Sequence, residues 1–156
     1  MFETRRFILS LLLTISLAFA ANAQTEAGFV NSSNEPHYVL ITMTKTAVDI
    51  PDVRAEVTKY MWKYHAADKL SISHILIGEN RSVGAMFIKE FRNAQHAMNF
   101  HQLMLKNKPD FMQMGLTKNY FVVSKSNFDQ ILRNRSLSGY DSFFQAIPLS
   151  CKVKMI

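Results

Sequence analysis

Hydrophobic and polar positions follow several distinct rhythms along this chain of 156 residues. The first is a mainly apolar run from Phe7 to Ala20, preceded by Arg5 and Arg6 and followed by Ala21-Asn22-Ala23. The run is shorter than the roughly 20 residues a membrane-spanning helix needs. A basic start, a short apolar stretch and an A-x-A ending are the three parts of a secretory signal peptide, expected over residues 1–23. Cleavage after Ala23 fits best, with Ala20 as the alternative point and an uncleaved anchor as the alternative reading. A polar stretch follows, including Asn31-Ser-Ser-Asn-Glu-Pro36, and residues 24–36 are expected to form a flexible lead-in.

From His37 the rhythm becomes that of a folded domain. His37-Tyr-Val-Leu-Ile-Thr-Met-Thr44 is apolar and β-branched without alternation, which predicts a strand buried on both faces. Asp49-Ile-Pro-Asp52 then opens a helix, with Asp49 as its cap and Pro51 in its first turn. Val53, Val57, Tyr60, Met61 and Tyr64 recur at spacings of three and four, one apolar face of a helix ending near Ala67. Ile72–Ile77 and Val83–Ile88 are two strands joined by Gly78-Glu-Asn-Arg81, an antiparallel hairpin. Asn93 caps a second helix reaching about Lys106, striped by Ala94, Ala97, Met98, His101 and Leu105, and Asn107-Lys-Pro-Asp110 breaks it. Asn119–Ser124 is the fourth strand. The order is βαββαβ, the ferredoxin-like α+β arrangement with a four-stranded antiparallel sheet. Ser126-Asn-Phe-Asp129 and Ser138-Gly-Tyr-Asp141 resemble capping boxes and predict two short C-terminal helices. The domain therefore spans residues 37–147, with a tail over 148–156.

Composition changes this picture only modestly. The net charge is +6, and removing Glu3, Arg5 and Arg6 with the leader leaves +5. That charge is dispersed over Lys59, Lys63, Lys69, Lys106, Lys108, Lys118, Arg133 and Arg135. Nucleic-acid binding calls for a concentrated stripe, so no nucleic-acid partner is expected. The single Cys151 excludes an internal disulfide and a Cys-ligated metal cluster, and is read as an inert small hydrophobe.

Candidate chemistry is sparse. His96 and His101 lie five apart, about 140° around a helix, and do not share a face. No metal and no cofactor are expected. Phosphate-binding loops, a nucleophile elbow and paired carboxylates are all missing from the pattern. Eight Met follow the leader, and those at Met112 and Met114 fall in a predicted loop, where Met makes adaptable contacts.

The second half of the chain carries a resemblance. Met86-Phe-Ile-Lys-Glu-Phe91-Arg-Asn-Ala-Gln-His-Ala97 runs a strand into a helix. Tyr120-Phe-Val-Val-Ser124-Lys-Ser-Asn127-Phe128 and Leu137-Ser-Gly-Tyr140-Asp-Ser-Phe143-Phe144 follow. Over about His37 to Ile147 this resembles the C-terminal domain of large tetratricopeptide-repeat envelope lipoproteins of the gliding-motility and type IX secretion machinery, here as a stand-alone exported copy. The family pattern has Ile-Ser, Asn-Tyr and a Tyr-x-x-Phe helix. Ser124, Asn127, Tyr140, Phe143 and Phe144 match it, Val123 replaces Ile and Phe128 replaces Tyr. The repeats and the lipid-attachment Cys are missing from this sequence. The resemblance implies a domain without catalysis that makes protein–protein contacts at the cell envelope.

Two functional expectations follow. The first is an exported, periplasmic or secreted interaction module with an envelope or secreted protein partner, or with itself, and no transmembrane anchor after cleavage. Its contact residues would be Met112, Met114, Phe128, Tyr140, Phe143 and Phe144, with core the stronger expectation for Phe128 and Phe143. The second is a small enzyme or ligand binder of the dimeric α+β-barrel type, with His37, Tyr38 and His74 in an apolar pocket. A protease inhibitor or pro-domain would share the fold class, though nothing in the sequence selects it.

Overall fold

In the computed structural model, residues 28–44 and 50–147 are described. The expected leader, Asp49, Cys151 and the tail lie outside the described residues. Chain order is β1 (His37–Met43), α1 (Ile50–Tyr64), β2 (Ser71–Ile77), β3 (Val83–Phe91), α2 (Ala94–Asn107), α3 (Asp110–Gln113), β4 (Thr117–Ser124), α4 (Lys125–Asn134) and α5 (Tyr140–Ala146). Short 3₁₀ turns at Ala66–Asp68 and Glu79–Arg81 flank β2.

The four strands form one sheet in the order β2-β3-β1-β4, every neighbour antiparallel. This α+β architecture matches the ferredoxin-like order, with helices after it. The alternation of side chains across the pleat gives two apolar ladders. Ile88, Val39 and Val122 pair across β3, β1 and β4 on one face. Phe87, Leu40 and Phe121 pair on the other. The first face is closed by Val53, Val57, Tyr60 and Met61 of α1 and by Ala97, Met98, Phe100 and Met104 of α2. Gly84 makes room here, because a Cβ at that position would lie 3.1 Å from Met43 and 3.3 Å from Ile50.

The second face is closed by Phe128 and Ile131 of α4 and Tyr140 of α5. A ferredoxin-like unit leaves this face bare, and here it is a second core. Phe29 packs edge-on against Tyr140, with ring centroids 4.7 Å apart.

Several boundaries differ from expectation. The breaker after α2 holds one further turn of helix, α3, which buries Phe111 in the first core. Ser124, not Ser126, caps α4, its hydroxyl accepting from the Asn127 amide. Ser126 is engaged elsewhere, donating to the Glu35 carboxylate. Gly139, in the left-handed conformation with φ 76°, precedes α5, and no side chain caps that helix. The apolar stripe of α1 stops at Met61, since Tyr64 is exposed.

Candidate functional site

One cavity lies where residues 30–33, the start of β1, the start of α2, the end of β4, α4 and α5 meet. Its volume is about 160 Å³, and Met98, Val122, Phe143, Phe144 and Ile147 supply apolar walls. His37, Ser124, Asn127 and Tyr140 supply the polar ones. Each of these polar groups has a structural partner. His37 Nδ1 lies 2.8 Å from the Glu35 carbonyl. Ser124 caps α4. The Asn127 side chain accepts from the Val30 amide at 2.9 Å and donates to the Val30 carbonyl at 2.8 Å. The Tyr140 hydroxyl donates to the Val122 carbonyl at 2.8 Å.

The electrostatics agree with that structural role. Burial lowers the His37 pKa below its ordinary value, and the neighbouring Glu35 carbonyl only partly offsets this. Burial pushes the Tyr140 phenol upward. Desolvation would raise Glu35, but hydrogen bonds from the Ser126 and Ser124 hydroxyls and the Ser126 amide outweigh it, so its carboxyl sits below the usual range. Residues 28–36 are thus fastened to the domain. Ser33 accepts from the Ala94 amide and Pro36 from the Lys125 amide. The fold begins before His37, and the described part of the expected flexible lead-in is packed against it.

The three residues expected to share a pocket do not meet. His37 faces the cavity beside α2. Tyr38, the next residue, points to the opposite face, where its ring packs 4.8 Å from Phe128. His74 is exposed on β2, with β3 between it and β1. The expected His-containing pocket therefore reduces to His37 alone.

The six expected contact residues also separate. Phe128 and Tyr140 are buried in the second core. Phe143 is half-buried against Phe29 and Tyr140. Phe144 is half-buried between Phe121 and His101. Met112 packs partly against the first core, and only Met114 is exposed.

The largest exposed aromatic is one that sequence reasoning missed. Trp62, the only Trp in the chain, is 78% exposed on the solvent side of α1. Tyr64 is 54% exposed about 200° further around the helix, and the Lys63 ammonium lies 5.1 Å from its ring centroid. On α1 the neighbours of Trp62 at three and four residues are Lys59, exposed, and Thr58, half-buried. Lys59 is held by an ion pair with Glu56 on the same helix. The signal was present: Trp62 falls off the stripe set by Val53, Val57, Tyr60 and Met61.

Among the described residues, no group of three or more His, Cys, Asp or Glu is arranged to hold a metal ion. No helix among them is long and apolar enough to cross a membrane. Comparison with protein-family models, curated proteins and solved structures returns no match for this chain.

Proposed function

We propose that this chain is an exported, non-catalytic module that makes protein–protein contacts at the bacterial cell envelope, and that it docks through the solvent side of α1. The observation that carries the reading is Trp62, an indole left in water on α1. Trp and Tyr are enriched among the residues that dominate binding at protein interfaces, and an indole left mostly in water adds little to the isolated fold. The expected leader supports export, and the resemblance to gliding and secretion lipoproteins supports a link to that machinery. The small-ligand reading has less behind it. The cavity beside His37 is below the usual size for ligand pockets, roughly 300 Å³ or more, and its polar side chains are spent on the fold. Sheet-face pairing, as in dimeric α+β barrels, is opposed by α4 and α5 lying over that face.

The test is affinity capture from envelope fractions with the wild-type protein and Trp62→Ala plus Tyr64→Ala as baits. A discrete protein captured by the wild type and lost from the variant is the expected outcome. Equal capture by both baits, or recovery of a bound small molecule alone, overturns the reading.

A further inference from the structure

We propose that β2 is a self-association edge: two copies pair their Ser71–Ile77 strands antiparallel about a dyad at His74, joining two sheets into one. β2 ends the sheet order, and β3 pairs with it along its whole length without a bulge. Edge strands are normally blunted by charge, proline or a bulge. Ser71-Ile-Ser-His-Ile-Leu-Ile77 carries none of these. It is also the least buried strand, with only Ile77 fully enclosed. A groove of about 460 Å³ runs along it, lined by His74, Ile75, Ile77 and the exposed Leu132 of α4, with Arg81 and Arg135 at its rim.

One face of this strand matches itself. A dyad at His74 sets Ile72 opposite Leu76 of the second copy on one face. On the other face it sets Ser73 opposite Ile75 and Ser71 opposite Ile77. Charge complements as well. Asp68 and Lys69 precede the strand, and Glu79 and Arg81 follow it. Antiparallel pairing brings the Lys69 end of one copy to the Glu79 end of the other, at both ends of the joint. An unrelated extended peptide would share the backbone pairing but not this matched set of flanking charges.

The proposal is independent of the Trp62 surface, and its test separates the two. The purified protein is followed by sedimentation equilibrium over a range of concentrations. The wild type and Trp62→Ala are expected to form dimers. His74 is exposed, so His74→Lys and His74→Glu leave the fold intact, which circular dichroism checks. Each sets like charges directly opposite across the dyad and weakens association by roughly fivefold or more. Mixing the two variants restores a dimer through the Lys–Glu pair. A wild type that stays monomeric overturns the proposal, including one that binds an added extended peptide at β2. So does a dimer indifferent to His74→Lys, or a mixture of the two variants that fails to associate.

Discussion

Asn127 and Tyr140 show how far single residues organise this fold. Asn127 holds Val30 by two hydrogen bonds, and Tyr140 places its ring between Phe29 and Phe121 while its hydroxyl reaches Val122. Replacing Asn127 with Ala leaves the Val30 groups without these partners and is expected to cost about 1–3 kcal/mol. Limited proteolysis would then cut within residues 28–36 faster than in the wild type. Tyr140→Phe should cost about 1 kcal/mol, by loss of one buried hydrogen bond, as read from denaturant midpoints. His37 sets a pH dependence. Its folded pKa is lowered, so the unfolded chain takes up the proton first. Stability therefore falls as pH drops through the ordinary His value of 6.5 toward the lowered one. Glu35 is lowered too, and its contribution is present above the ordinary 4.5 and lost as pH falls through its folded value. Melting temperatures of the wild type and His37→Gln, compared between about pH 7 and pH 5, should converge as the pH falls. Core was already the stronger expectation for Phe128, but the burial of Tyr140 was not legible in the sequence. A short aromatic helix carries no mark of whether its rings face a core or a partner, and only the closed second face decides it.

At the scale of elements, the four strands were legible as apolar, β-branched runs and the two long helices because each repeats its apolar stripe over several turns. α3 was not, since Asp110–Gln113 is a single turn set in a Pro-containing breaker. The cap of α4 was misplaced for a tertiary reason: Ser126 is claimed by Glu35, distant in sequence, which leaves the capping to Ser124. Helix α2 closes with Lys108 in the left-handed conformation, φ 45°, a position that favours glycine. Lys108→Gly is expected to stabilise the protein by up to about 1 kcal/mol, read from its melting temperature. Helix α1 divides cleanly between a buried stripe and the Trp62 side. Trp62→Ala should change folding stability by less than about 0.5 kcal/mol while removing partner capture. Val57→Ala should do the reverse of the first, costing about 1–3 kcal/mol through its buried contacts. Because Trp62 is the only Trp, fluorescence of the isolated protein should show a hydrated indole, readily quenched by iodide, and shift to the blue when a partner binds.

For the whole molecule, covering both sheet faces changes what the fold can do. The α+β class and strand order were legible from the sequence of elements, but α4 and α5 appeared there only as helices needing something to cover. Their place over Leu40, Phe87 and Phe121 makes them part of the core. A chain ending at Ser124 is expected to bind a hydrophobic dye and aggregate on purification, whereas the full chain remains dispersed. With the faces closed, the two contact surfaces proposed are the outer side of α1 and the β2 edge. The account rests most on the first of these. Trp62 can be replaced by a photo-crosslinking amino acid in the full chain, with Arg133 on α4 replaced likewise as a control, and the native cells illuminated. The predicted result is a discrete protein adduct from position 62 and none from position 133. No adduct at Trp62, or the same adducts from both positions, would contradict a contact module that docks through α1.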